Sequence, residues 1–206
     1  MEIMNQLENL KKIAKTKLAK NDPAHDFEHV MRVYRNAEKI CKTESGNKKL
    51  ILSAVLLHDI IKTKNRKDSS LKSAKLSEKI LKENNFHDDE IKIISNAIKQ
   101  HSFSKGKIPS TIEGKILQDS DRLDAIGAIG LARVFSFSGS NNRPFYDPND
   151  PFSKNRVLND NRWALDHFYE KLLTLEKKMN TKTGKNLAKK RTKILKNFLK
   201  ELKNEI

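Results

Sequence analysis

Apolar residues recur along this chain at intervals of three and four positions, which is the period of an amphipathic α-helix. The first apolar stripe runs from Leu7 to Leu18, and the last runs from Leu187 to Leu202. Valine is scarce beside leucine and isoleucine, which also favours helices over strands. We therefore predict an all-α fold, a helical bundle formed by a single domain.

Eight helices are expected, separated by short polar connections and one long loop. Asp26 is a candidate N-cap of the second helix, because a carboxylate can accept a hydrogen bond at a helix start. The third helix is rich in leucine and isoleucine on several sides, which indicates a central position. The predicted helices cover approximately residues 7–18, 30–41, 48–61, 70–83, 88–101, 111–137, 162–179 and 185–205.

The long loop covers residues 138–160 and contains three of the five prolines. A loop of this length in a compact domain is typical of a lid over a functional site, and a disordered segment is the alternative. The domain over residues 1–206 is therefore expected to comprise a helical core at about 22–137, this loop, and C-terminal helices at about 162–205.

The charge balance is strongly basic, with 42 Lys and Arg against 26 Asp and Glu, a net charge of +16. Such a balance suggests an anionic partner. The lysines are scattered from Lys11 to Lys203 and interleaved with Glu, without an Arg-rich run. This scatter indicates a solvated lysine-rich surface, with a positive field that recruits anions as the alternative, so no specific nucleic-acid partner is expected.

Two further features exclude whole classes of protein. Cys41 is the only cysteine, so an intramolecular disulfide framework and a thiolate zinc cluster are both ruled out. No window approaches the roughly 18 uninterrupted apolar residues of a membrane span, and the N-terminal segment is amphipathic and charged. We expect a cytoplasmic protein without a membrane partner.

Four of the six histidines, His25, His29, His58 and His101, lie where a purely structural account would not place them, and aspartates interrupt two of the apolar stripes. His29 adjoins the stripe of the second helix, and the pair His58 and Asp59 lies within the apolar run ILSAVLLHDII. Asp121 interrupts the stripe of the sixth helix. Burial of an unpaired ionised carboxylate costs several kcal/mol, so a positive group must face these aspartates. For Asp121, the alternative to a metal ion is an ion pair with Arg122 or Arg133.

Three helices together supply two imidazoles and two carboxylates, which is a ligand set for one divalent ion. The residues are His29, His58, Asp59 and Asp121. Mixed nitrogen and oxygen donors suit Mn²⁺, Fe²⁺ or Mg²⁺, and these ligand types are also compatible with Zn²⁺. A bound divalent ion lowers the pKa of a coordinated water and polarises a phosphoryl oxygen, as hydrolysis of a phosphate ester or anhydride requires.

The order of these residues resembles the H…HD…D signature of the HD-domain superfamily of metal-dependent phosphohydrolases. The resemblance spans residues 20–206. Within the superfamily, the chain is most similar to the small stand-alone bacterial members, which include nucleotide pyrophosphohydrolases. The matching segments are HDFEHVMRV at 25–33, LLHDI at 56–60, QHS at 100–102, DSDRLDAIGAIG at 119–130 and HFYEKLLTL at 167–175.

The resemblance implies a metal-centred helical bundle of the HD type, with additional N- and C-terminal helices. It implies His29, His58, Asp59 and Asp121 as ligands, with Mn²⁺ as the expected ion and Mg²⁺, Fe²⁺, Ni²⁺ and Zn²⁺ as alternatives. The expected activity is hydrolysis of nucleoside or deoxynucleoside triphosphates to monophosphate and pyrophosphate. The superfamily also holds 5′-nucleotidases and other phosphomonoesterases and phosphodiesterases, so these are the alternative activities.

Other residues receive roles by their placement near these motifs. Asp59 and His101 are the candidate catalytic residues, with His101 protonating a leaving group or binding substrate. Lys62 stands where many relatives carry a carboxylate, which argues against guanosine-tetraphosphate hydrolysis. The candidate phosphate-binding residues are Arg32, Lys62, Lys64 and Arg143. The candidates for orienting the metal ligands are His25, Asp26 and Asp124, with a helix N-cap as the alternative for His25 and Asp26.

A non-enzymatic alternative is a basic nucleic-acid-binding protein with a structural metal. That hypothesis predicts an affinity for DNA or RNA that falls steeply with salt. A nucleotide or another phosphorylated small molecule is the expected partner in the enzymatic hypothesis, and a homodimer is left open.

Overall fold

The computed structural model describes residues 2–19, 26–61, 63, 66–102 and 107–206. Every regular element in these ranges is a helix, which confirms the predicted all-α class. The α-helices are α1 (Glu2–Leu18), α2 (Phe27–Ile40), α3 (Lys48–Leu57), α4 (Arg66–Glu83), α5 (Asp88–Gln100), α6 (Ile112–Asp124), α7 (Gly127–Ser140), α8 (Asp166–Glu170) and α9 (Lys182–Glu205).

The chain divides into two compact units at the end of α6. The first unit comprises residues 1–121 and contains α1 to α5 and most of α6. The second unit comprises residues 122–206 and contains α7 to α9. The single domain expected from the sequence stays a prediction.

Helix α3 forms the centre of the first unit. Its residues 50–57 are all buried, and the helix contacts α1, α2, α4 and α5. Complete burial of a leucine or isoleucine side chain contributes about 1.5–3 kcal/mol, so this short helix is a main source of the unit's stability. The central position predicted for the third helix is therefore confirmed within the first unit.

The apolar pattern predicts that the third helix continues to Ile61, but α3 ends at Leu57. His58 and Asp59 lie in the turn that follows. The main-chain N–H of Ile61 donates to Ser73 Oγ across 3.1 Å, and Ser73 Oγ donates back to the Ile61 carbonyl across 3.3 Å. A serine of α4 thus satisfies main-chain groups that a longer helix would have paired.

The sixth predicted helix, at 111–137, is wrong as one element, because the chain breaks between α6 and α7. Gly127 has a φ of +81°, a left-handed conformation that glycine adopts without steric cost. A Cβ on Gly130 would lie 2.2 Å from the Ala125 carbonyl oxygen. The two glycines therefore turn the chain and allow α7 to begin close to the end of α6.

The predicted helix at 162–179 is also wrong, since α8 is followed by two 3-10 turns, Leu172–Thr174 and Glu176–Lys178. Before α8, the N–H groups of Ala164 and Leu165 donate to the carbonyls of Pro144 and Phe145 across 3.0 and 2.8 Å. These N–H groups pair with the long loop, so the chain is not helical there.

The long loop of the second unit begins at Asn141, because α7 continues to Ser140. Arg156 holds the loop by a bidentate ion pair to Asp166, with nitrogen to oxygen distances of 2.6 and 2.7 Å. Asp166 is fully buried and also accepts from the N–H of Asn159 across 2.7 Å. The lid interpretation of this loop stays a prediction.

Candidate metal centre

Five polar side chains of the first unit converge on one place. They form two overlapping groups, and the potential ligand atoms within each group lie within 4.8 Å of one another. The first group is His29, His58 and Asp121, and the second is His58, Asp59 and His101. The four residues predicted as ligands and the predicted catalytic histidine are therefore neighbours.

Helix α2 brings His29 into this cluster. Asp26 caps the helix, since its Oδ1 accepts from the His29 N–H across 2.8 Å. Val30 and Val33 on the same helix are fully buried, and His29 itself is 1% exposed. The N-cap predicted at Asp26 is confirmed, and through the His29 N–H it also fixes the backbone of a site residue.

His58 presents a bare ring nitrogen to the cluster. Its Nδ1 lies 2.7 Å from the Val55 carbonyl, which can only accept, so Nδ1 carries the proton. Burial lowers the pKa of His58 although Asp59 and Asp121 act to raise it, so the ring is neutral. Its Nε2 is buried without a hydrogen-bond partner among the described residues. An unprotonated, buried imidazole nitrogen is the state that a metal ion requires.

His101 repeats this arrangement at the end of α5. Its Nδ1 lies 2.6 Å from the Ile98 carbonyl, so Nδ1 donates there and Nε2 faces the cluster. The His101 and His58 rings meet edge to face, with centroids 5.1 Å apart. Two histidines at two helix ends thus use the same main-chain contact to fix the ring orientation.

The two aspartates complete the cluster and are its partly exposed members. Asp59 Oδ2 lies 3.8 Å from His58 Nε2 and 4.0 Å from His29 Nε2, and Asp59 Oδ1 lies 3.8 Å from His101 Nε2. Asp121 Oδ1 lies 3.6 Å from His29 Nε2. Donors about 2.1 Å from an octahedral ion are about 3.0 or 4.2 Å apart, so these residues fit around a single divalent cation.

Two buried amides that the sequence analysis missed tie the helices of the site together. Asn36 Nδ2 on α2 donates to the Ser120 carbonyl on α6 across 3.0 Å. Gln118 Nε2 on α6 lies 3.0–3.4 Å from the carbonyls of Gln100, His101 and Lys107. The available signal was a polar residue on an otherwise apolar helix face.

The remaining predicted residues of the first unit have different outcomes. Arg32 lies three residues beyond His29 on α2 and is partly exposed, and its phosphate contact stays a prediction. His25, Lys62 and Lys64 lie outside the described residues, so their predicted roles stay predictions as well.

Asp124 and Arg143 belong to the second unit and have local partners there. Asp124 is 1% exposed, and its Oδ2 accepts from Arg133 across 2.6 Å. Arg133 thus pairs with Asp124. The Arg143 guanidinium donates to Ser138 Oγ and to the Asp160 carbonyl. These contacts give both residues a structural role, and their predicted roles at the site stay predictions.

No helix in the described ranges has both the length and the apolar character needed to cross a membrane.

Comparison with known proteins places the chain among small bacterial proteins. The HD domain family matches residues 26–126. The protein YpgQ of Bacillus subtilis is 32% identical over the whole chain and 96% of its own length. Its crystal structure in complex with ADP has a TM-score of 0.80 at 29% identity, covering 100% of this chain and 97% of that one. An HD-superfamily hydrolase from Bacillus thuringiensis has a TM-score of 0.79 at 32% identity, covering 98% and 97% of the two chains.

Proposed function

Because this chain belongs to the HD-domain family of metal-dependent phosphohydrolases, we propose that it hydrolyses nucleoside or deoxynucleoside triphosphates to the monophosphate and pyrophosphate. The observation that carries the proposal is the convergence of three imidazoles and two carboxylates in one partly exposed cluster. The ADP complex of the related YpgQ supports a ligand that combines a nucleoside with a phosphate chain.

We assign the metal ion to His29, His58, Asp59 and Asp121, with Mn²⁺ as the proposed ion. The neutral ring of His58 and the mixed nitrogen and oxygen donors support this choice. Such a cation, when bound, would lower the pKa of a coordinated water and polarise a phosphoryl oxygen of the substrate. The partial exposure of Asp59 and Asp121, 25% and 30% of their side chains, leaves a side of the cluster open to substrate.

We assign the protonation of the leaving group to His101. Its Nδ1 is held by the Ile98 carbonyl, so Nε2 is the atom that can exchange a proton with substrate. Asp59 Oδ1 lies 3.8 Å from that nitrogen, so His101 stands directly beside the proposed metal ligands. Arg32, one turn beyond His29, is the proposed contact for the phosphate chain.

The test is a hydrolysis assay with a panel of nucleotides on protein stripped of metal and reloaded with Mn²⁺, Mg²⁺ or Zn²⁺. The variants Asp59→Ala and Asp121→Ala remove one predicted ligand each. Asp89→Ala is the matched control, because Asp89 is an exposed carboxylate at the start of α5. Products are separated chromatographically.

The proposal predicts equal amounts of monophosphate and pyrophosphate, made by the wild type and Asp89→Ala but by neither ligand variant. Release of orthophosphate from monophosphates would replace it with a nucleotidase activity. Metal binding without hydrolysis of any nucleotide would contradict it.

A further inference from the structure

One face of α9 carries a continuous row of lysines. Successive members are three or four residues apart, and at about 100° per residue all of them fall within an arc of roughly 80°. Each of these side chains is exposed. The members of this lysine stripe are Lys182, Lys185, Lys189, Lys193, Lys196, Lys200 and Lys203.

No residue that the structure describes neutralises the lysine stripe. None of its members forms an ion pair or a hydrogen bond with a residue in the described ranges. The two acidic residues of α9, Glu201 and Glu205, lie outside the arc. With nine basic residues against these two, α9 holds +7 of the net charge of +16. Like charges at this spacing destabilise a helix, so repulsion between the lysines lowers the stability of α9 unless an anion faces them.

The stripe extends about 31 Å along the helix axis, from Lys182 to Lys203, at a rise of 1.5 Å per residue. A nucleic-acid duplex presents one phosphate per roughly 1.7 Å of its axis, counted over both strands, so the phosphates on the side that faces α9 extend over the whole length of the stripe. A small anion such as a single nucleotide would contact only two or three of the lysines. The shape of the stripe therefore fits a linear polyanion.

We propose that the lysine stripe is a docking surface for the sugar-phosphate backbone of a nucleic-acid duplex, bound without sequence preference. The stripe contains no arginine for bidentate base contacts and no aromatic residue on which single-stranded bases could stack. The apolar face of α9, with Ala188, Leu195 and Leu199, is buried within the second unit. Ile194 is the one large apolar side chain of α9 that is exposed, so the helix lacks the continuous apolar face that insertion into a membrane requires.

The test measures binding of a fluorescently labelled duplex of about 30 base pairs by anisotropy, over a range of salt concentrations. The variant K185Q/K193Q/K200Q removes three charges from the stripe. The matched control K72Q/K75Q/K82Q removes three exposed lysines from α4, where Glu78 lies between Lys75 and Lys82 and Glu83 follows Lys82. Circular dichroism and thermal unfolding verify that each variant folds.

The wild type is expected to bind two duplexes of unrelated sequence equally, with log Kd rising linearly with log salt concentration. The α9 variant is expected to bind at least tenfold more weakly at about 50 mM salt, with a salt slope lower by up to about 2.7, since each phosphate contact contributes about 0.9. The α4 variant is expected to keep the wild-type slope.

Absence of duplex binding at that salt concentration would overturn the proposal, as would an equal loss in the α4 variant. Tighter binding to vesicles of phosphatidylcholine and phosphatidylserine than to the duplex would assign the stripe to a membrane surface instead. The inference does not depend on the hydrolytic activity proposed above, because both measurements omit nucleotide and metal.

Discussion

The side-chain amide of Gln118 donates to the main-chain carbonyl of His101 across 3.2 Å. It thereby links α6, which carries Asp121, to the end of α5, where His101 enters the metal centre. Gln118 is fully buried and also lies within hydrogen-bond distance of the carbonyls of Gln100 and Lys107. The amide therefore positions the backbone that carries the proposed proton donor.

Replacing Gln118 by leucine should lower both stability and turnover. The change leaves buried carbonyl groups without this donor, which costs about 1–3 kcal/mol. Displacement of His101 should reduce kcat by about 10–100-fold, the range found for residues that orient a metal-site ligand. Urea unfolding and steady-state hydrolysis of the preferred nucleotide measure the two effects.

Gln6→Leu is the matched control, because Gln6 donates in the same way to the carbonyls of Asn84 and Asn85 at the end of α4. It should lower stability by a similar amount and leave kcat unchanged. If both variants lose kcat in proportion to their stability, Gln118 has no positioning role.

The candidate site was accessible from sequence because its members violate a simple rule. An aspartate or histidine within an apolar stripe requires a compensating partner, so His58, Asp59 and Asp121 stand out without any structure. Gln118 gives a weaker signal, since glutamine is neutral and common in helices. Its partners are the carbonyls of Gln100 and His101 at the end of α5 and of Lys107, and no helical period encodes these pairings.

For the helices too, the sequence pattern predicts one feature, the position of each helix, and misses another, the residues at which the helix begins and ends. The apolar period identified the segments, but it did not locate their ends, because main-chain groups there are satisfied by distant residues. The pairing of Ile61 with Ser73 ends α3 early, and the pairing of Leu165 with Phe145 delays α8. The break at Gly127 depends on a left-handed φ that the periodicity alone does not reveal.

Metal binding should stabilise the protein through Asp121. At a free Mn²⁺ concentration 100 times the Kd, a ligand that binds only the folded state contributes about 2.7 kcal/mol. For a chain of this length that corresponds to a rise in Tm of about 5–10 °C. Differential scanning fluorimetry with Mn²⁺ and with EDTA measures the difference.

The variant Asp121→Asn should show a Tm that is nearly the same with Mn²⁺ and with EDTA, whereas Asp89→Asn should respond as the wild type does. A full Mn²⁺ response in Asp121→Asn would exclude this carboxylate from the metal centre.

Arg156→Lys should loosen the long loop of the second unit. Lysine keeps the charge but cannot form both hydrogen bonds to Asp166, so we expect a loss of about 1–3 kcal/mol and faster proteolysis within residues 141–160. The control is Arg162→Lys, because Arg162 is exposed and stacks over Trp163 at 4.8 Å. That change should alter stability by less than about 0.5 kcal/mol. Equal cleavage rates in the two variants would contradict the anchoring role of Arg156.

Stability should fall at mildly acid pH because of His167. Burial lowers the pKa of His167 below its ordinary value of 6.5, and this effect outweighs the hydrogen bond to Asp160, which acts to raise it. The unfolded chain then binds more protons than the folded one just below pH 6.5, so the free energy of unfolding decreases as the pH falls through that value. Above about pH 7.5 both states are neutral at this residue, and its contribution to the pH dependence vanishes.

The comparison of wild type with His167→Gln isolates this effect, because contributions from other buried groups, His58 included, are common to both proteins and cancel in the difference. Urea midpoints measured between about pH 5.5 and 8 should run parallel above neutrality. They should converge toward acid pH, where only the wild type loses stability by protonation of this residue. Midpoints that stay parallel down to the lowest pH would show that His167 titrates equally in the folded and unfolded states, and the burial of its ring would then have no effect on proton binding.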